Sequence, residues 1–231
     1  MRLIPIAFGL ALAASSNPTF SQFSAGDSEV GPARAQVDHI IEAAKAGAFF
    51  ANMAQGKIPM ARHLLSGLTC QFEPNSKDNQ IQIYSGLPPG FDVACQTSIL
   101  GFIETDYATK FAVTPTLDQA FEKYNSEIKQ LHPDVKVLSG AFVARPMTAH
   151  SPPRRTIRMT FACNGVQCFS RLSVTIINGW MIEQRFTGPL DQATLGDAIA
   201  ETSLSRIVAD VAKGGDPNPK KAPTPDGGLS V

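Results

Sequence analysis

The sequence predicts an α+β domain: a single, largely antiparallel sheet flanked by helices, with an N-terminal helical extension. Three observations lead there. Segments alternating as half-buried strands do follow one another across short turns, two of them Asn-Gly. Segments with helical apolar spacing stand before, between and after those strands. The last strands are separated by too few residues for the crossover that a parallel pair needs, so they pair antiparallel. Helices packed on such a sheet make an α+β architecture.

The domain spans 33–212, with the helical extension at 33–65 and the sheet core at 66–212. Pro32 suits the first turn of a helix that runs to about Gln55. Val37, Ile40, Ile41, Ala44 and Ala48 recur at helical spacing, with Arg34, Asp38, Glu42 and Lys45 opposite. Phe49, Phe50 and Met53 extend the apolar side, Gly56 and Pro59 end it, and Met60 to Leu68 reads as a further short helical piece. The apolar face packs on the sheet or docks into a partner groove. Its polar side carries both charges, which argues against a membrane surface, where Lys and Arg dominate.

In the core, residues 80–85 alternate as a strand, Leu87-Pro88-Pro89-Gly90 turns, and 91–100 and 101–112 are strands rich in Val, Ile, Phe, Thr and Tyr. Pro115 and Thr116 precede a helix from Leu117 to Leu131, with Leu117, Ala120, Phe121, Tyr124, Ile128 and Leu131 as its stripe, and Pro133 ends it. Strands follow at 135–144, 154–163, 168–177 and 180–187. A closing helix from about Asp191 to Ala212 carries Leu195, Ile199, Leu204, Ile207, Val208 and Val211 on one face.

The ends read differently. Residues 1–21 have the layout of a secretory signal: Arg2, an apolar run from Leu3 to Leu12, and small residues from Ala11 to Ala14. The run is too short to cross a bilayer, which takes roughly 20 apolar residues. Residues 22–32 form a flexible lead and 213–231 a disordered tail, both by composition. The expected location is periplasmic or secreted, without stable membrane insertion. No cysteine adjoins the apolar run to take a lipid.

The four cysteines, Cys70, Cys95, Cys163 and Cys168, are even in number, as disulfides in an oxidising compartment require. Four cysteines allow three pairings. The favoured one is Cys70–Cys95 with Cys163–Cys168, because Asn164-Gly165 folds the chain back between the second pair. Zinc and thioredoxin-like spacings are absent. Twenty basic side chains balance twenty acidic ones, so no overall field draws the chain to nucleic acid.

The element order, with four antiparallel strands ending in Gly179-Trp180-Met181-Ile182-Glu183-Gln184-Arg185-Phe186 and then a closing helix, resembles the Mog1/PsbP-like superfamily over about residues 66–212. The resemblance implies that fold, and a binding or accessory role more than catalysis. It carries over no functional residue.

No catalytic residue, cofactor or metal ligand set is identified. His39, His63, His132 and His150 lie far apart in sequence and read as surface or capping residues. No nucleophile elbow or phosphate loop is present. The binding candidates are Arg154, Arg158, Arg171 and Arg185, read as a row across the outer faces of three adjacent strands. Such a row either binds an anionic ligand or acidic partner, or is a solvated face neutralised by neighbouring carboxylates. The sequence therefore points to an exported binding or accessory protein acting by surface recognition of an envelope or secreted partner. The alternative is a small-ligand or hydrolytic site formed only in the fold.

Overall fold

The computed structural model describes residues 27–139 and 152–215. The segment read as a secretory signal at 1–21, the start of the expected lead, His150, the end of the strand expected at 135–144 and most of the expected tail lie outside those residues. The order is α1 (Asp27–Ala43), β1 (Phe50–Asn52), β2 (Met60–His63), β3 (Thr69–Gln71), β4 (Gln80–Ile83), β5 (Asp92–Ile99) and β6 (Phe102–Thr109). Then come α2 (Leu117–Leu131), β7 (Lys136–Val137), β8 (Arg154–Cys163), β9 (Val166–Ile177), β10 (Trp180–Pro189) and α3 (Ala193–Ala212), the last entered through one 3-10 turn. This is the expected α+β class. A seven-stranded antiparallel sheet runs β4-β5-β6-β10-β9-β8-β7, and β1, β2 and β3 form a second, small sheet.

The N-terminal extension differs from its sequence reading. The helix begins at Asp27, five residues before Pro32, and stops at Ala43 instead of Gln55. Lys45 takes a left-handed backbone (φ 51°), which an α-helix cannot continue through. Phe50, read as the end of a helical stripe, pairs instead with His63 across β1 and β2, and 60–71 is a hairpin and not a helical piece. Short apolar runs carry no reliable period, and here strand pairing with neighbours decided the outcome. Val37, Ile40 and Ile41 do face inward, onto a core shared with Phe50, Val93, Ile182 and Ile207.

α2 follows its sequence closely. Thr116 Oγ1 accepts from the Gln119 amide at 3.2 Å while Gln119 Oε1 accepts from the Thr116 amide at 2.9 Å, closing a capping box. Ala120, Phe121, Tyr124 and Ile128 are buried against Met159, Leu172, Val174 and Met181 on one face of the large sheet. α3 covers the other face. Its Ala200 meets Phe102, Phe169 and Phe186. The two hairpins β8–β9 and β9–β10 turn on Asn164-Gly165 and Asn178-Gly179, with φ between 50° and 85° at all four residues, the geometry of a type I′ turn.

Cys70 of β3 is bonded to Cys95 of β5, tying the small sheet to the large one. Cys163 is bonded to Cys168 diagonally across the β8–β9 hairpin.

Phe102 shows how tightly the α3 side is packed. Its ring stacks on Phe186 at 5.0 Å, and a Cβ added at Gly188 or Gly196 would come within 2.3 or 2.6 Å of it. Glycine at both positions lets the ring lie flat between β10 and α3. Gly188→Ala is therefore expected to destabilise by about 2 kcal/mol, because a fully buried ring clasped on two sides has nowhere to go. Thermal unfolding checks this, and an unchanged midpoint would show that the ring can shift.

Candidate functional site

The sequence placed four arginines on one outer face. The structure divides them, and it covers the face. Both hairpins have two-residue turns, so paired residues have opposite parity. Arg158 stands opposite Arg171, and Arg154 opposite Thr175, all on the α3 side. Arg185 stands opposite Leu172 and so lies on the α2 side, with Arg171 opposite Phe186. The expectation of one row is corrected by counting register through Asn178-Gly179.

Nor is the α3 side solvated. Arg171 is 0% exposed. Its Nη2 lies 2.6 Å from Glu201 Oε2, and its Nη1 donates to the Asp197 carbonyl at 3.2 Å. Arg158 Nε meets Asp197 Oδ2 at 2.8 Å, and Arg154 pairs with Glu201. Asp197 and Glu201 lie one turn apart on α3, so one helix face supplies carboxylates to arginines from β8 and β9. Ser173 and Thr156 bond to each other at 3.0 Å, and Thr175 donates to the Pro153 carbonyl at 2.8 Å. The polar residues of this strand face are thus matched by partners, which is why α3 can bury them. These arginines hold the closing helix.

Arg185 has a different setting. Its guanidinium carbon lies 5.3 Å from the ring centre of Tyr107 and 5.8 Å from that of Tyr124. Tyr84 stacks beside Tyr107 at 6.3 Å. The chain has three tyrosines, and all three gather here, from the end of β4, from β6 and from α2. Arg185 Nη2 is 3.5 Å from Glu127 Oε2, and its Nε donates to Glu183. α2 packs on β8 and β9. Gln82, Tyr84, Gln96, Thr105 and Tyr107, on the same side of β4, β5 and β6, are half-exposed. The opposite side of those strands, with Ile81, Val93, Cys95 and Ala108, is buried.

Glu183 lies under this surface, 1% exposed. Burial pushes its carboxyl up to about 7, with the Arg185 charge opposing. The folded state thus takes up a proton near pH 7 that the unfolded chain takes up only near 4.5. Its contribution to stability is full below pH 4.5 and lost as pH rises through 7, a span of about 3 kcal/mol. His63 has the opposite sign: burial lowers it to about 4, so its contribution is lost as pH falls from 6.5. Glu183→Gln should therefore remove about 3 kcal/mol of the stability gained between pH 7 and 4.5. Denaturant titrations at both pH values read this, and parallel wild-type and variant curves would contradict it.

The third polar group lies on the α3 side near the small sheet. Glu104 and Asp106 of β6 share that face, with Gln184 of β10 beside them. Gln184 Nε2 donates to Glu104 Oε1 at 2.8 Å. Burial raises both carboxyls, Asp106 well above the ordinary carboxylate range, and each feels the Arg206 charge in the other direction. Glu104 borders a cavity of about 440 Å³ between α3, β5 and the residues after β3.

No protein-family model matches the chain, and no curated protein matches it. Among solved structures, PA94 from Pseudomonas aeruginosa, a protein of unknown function, is 13% identical with a TM-score of 0.34, over 64% of this chain and 93% of that one. LpqN from Mycobacterium tuberculosis, described as involved in cell envelope biogenesis, is 9% identical with a TM-score of 0.32, over 59% of this chain and 84% of that one. Likeness at this level carries no argument about function.

Sequence reasoning missed the tyrosine cluster and the Glu104–Asp106 pair. The tyrosines are 17 or more residues apart in sequence, and only the β4-β5-β6-β10 order brings them to Arg185. Glu104-Thr105-Asp106 has the alternation of a solvated strand face, which hides that this face is covered. His63, by sequence a surface or capping residue, is buried, with Nδ1 2.8 Å from Ser66 Oγ. His39 is exposed, and His132 closes the C-terminus of α2 and stacks on Phe161 at 3.8 Å. Among the described residues no three metal-ligating side chains cluster, and no helix is long and apolar enough to cross a membrane.

Proposed function

We propose that this chain is an exported binding or accessory protein, and that it recognises an envelope or secreted protein partner through the half-exposed face of β4, β5 and β6 around Arg185. The observation that carries the reading is the cluster of all three tyrosines, two against Arg185 and the third stacked on Tyr107, beside a sheet face that no described helix covers. Tyr and Arg concentrate binding energy at protein interfaces, since each offers large area together with hydrogen bonding. Gln82, Gln96 and Thr105 surround them with polar groups suited to an interface rim. Two disulfides and the signal-like pattern at 1–21 support export to an oxidising compartment. The Mog1/PsbP-like resemblance agrees with an accessory role. A small-ligand site, the second reading, is favoured by one observation, the cavity beside Glu104.

The test is site-specific photocrosslinking of the full chain expressed with its N-terminal segment in a host with an oxidising compartment. Photoreactive residues at Tyr84 and Gln96 should give a discrete protein adduct. One at Val137, exposed at the far edge of the sheet, should not. No adduct from either position, or the same adducts from all three, would overturn the proposal.

A further inference from the structure

The cavity beside Glu104 lies on the opposite side of the sheet from the recognition face and is independent of it. Its volume, about 440 Å³, is within the range of small-molecule sites, roughly 300–1,000 Å³. Phe72, Ile99 and Ile199 supply an apolar wall, and Glu104, Arg206 and the exposed Glu73 supply charge.

The polar part of the wall is backed by buried groups. Glu104 is 4% exposed, Asp106 behind it 5%, and Gln184 is fully buried. Asp106 Oδ1 and Gln184 Oε1 have no hydrogen-bond partner. Arg206 is partly committed elsewhere, with Nη1 donating to the Thr69 carbonyl at 3.0 Å and Nη2 to Ser203 Oγ at 3.3 Å. Two carboxyl groups on the cavity wall, Glu73 and Glu104, with Asp106 buried behind Glu104, thus outnumber one guanidinium, and Glu104 is also bonded to Ser203.

We propose that this cavity binds a small organic cation, a primary ammonium on a hydrocarbon body, with the ammonium against Glu104 and the body against Phe72, Ile99 and Ile199. A carboxylate ligand would meet two carboxyl groups, Glu73 and Glu104, with Asp106 close behind. A neutral alcohol offers one donor where an ammonium offers three. The charged and polar groups around the ammonium are Asp106 from β6, Gln184 from β10, Thr97 from β5, Ser203 and Arg206 from α3, and Glu73 from the loop after β3. Burial raises both carboxyls, so the Glu104–Asp106 pair holds a proton to higher pH than free carboxyl groups do. The bound ammonium takes that proton's place as counter-charge. A protonated site and an alkylammonium ion therefore give the complex and one released proton, and charge balances. Affinity consequently rises with pH while the amine stays protonated.

Isothermal titration of the full chain with hexylamine, hexanoate and hexanol tests this, in two buffers of different ionisation enthalpy. Hexylamine should bind about tenfold or more tighter than either control. It should release about one proton and bind more tightly at pH 8 than at pH 5.5. Glu104→Gln should weaken the amine about tenfold. Ala198→Trp, at an exposed position bordering the cavity, should block it without disturbing the core. Equal binding of hexanol would reduce the site to a hydrocarbon slot, and preference for hexanoate would assign it to Arg206. Either result overturns the proposal, as does the absence of amine binding to the wild type. Amine binding indifferent to both variants would place it elsewhere and overturn it equally. None of these outcomes bears on the adducts at Tyr84.

Discussion

Replacing Arg171 with methionine should cost about 3 kcal/mol of folding stability, while Arg155→Met should cost less than about 1 kcal/mol. Both arginines lie in neighbouring strands, and both are paired with carboxylates on helices. Arg171 is wholly buried, with Glu201 at 2.6 Å and the Asp197 carbonyl at 3.2 Å. Arg155 pairs with Asp118 where the two side chains are 46% and 74% exposed, so water and salt screen the attraction. Removing one partner of a buried pair leaves polar groups desolvated and unpaired, which is where the larger cost arises. The estimate for Arg171 sits at the low end of the usual range because Glu201 keeps Arg154 and Asp197 keeps Arg158. Urea unfolding at 0.05 M and 0.5 M salt separates the cases. The loss at Arg171 should barely change with salt. A loss at Arg171 as small as that at Arg155 would mean that α3 is held by its apolar face alone.

Removing the Cys70–Cys95 bond by a double substitution with alanine should lower stability by about 3.5 kcal/mol, and removing Cys163–Cys168 by about 2 kcal/mol. The sequence separations are 25 and 5 residues, and on the chain-entropy account the longer ring restrains the unfolded chain more. The two bonds also do different things in the fold. Cys70–Cys95 joins β3 to β5, so its loss removes the covalent tie between the small sheet and the large one. Cys163–Cys168 only reinforces a hairpin that Asn164-Gly165 already closes. Thermal unfolding of both double variants under non-reducing conditions reads the difference. A larger loss for the hairpin bond would reverse the assignment of roles.

Where local chemistry decides structure, the sequence was enough. Thr116 and Gln119 start α2 by capping, β8 has the bounds that its alternation predicts, and the two Asn-Gly turns close β8–β9 and β9–β10. With them came the antiparallel order of β8, β9 and β10, and hence the α+β class. Where a residue's fate depends on what packs over it, the sequence was silent. Phe50 joined a strand because β2 was there to pair with it. Arg154, Arg158 and Arg171, polar residues alternating with apolar ones, looked solvated because a strand's own pattern cannot show a helix arriving with matching carboxylates. The same cover hid the Glu104–Asp106 pair. The gathering of Tyr84, Tyr107 and Tyr124 at Arg185 required the neighbouring of β6 and β10, which lie 70 or more residues apart in the chain. Hydrogen bonding along the backbone and turn preference act over a few residues and are written locally. Burial and charge pairing act between elements brought together by the whole fold, and only the tertiary structure decided them.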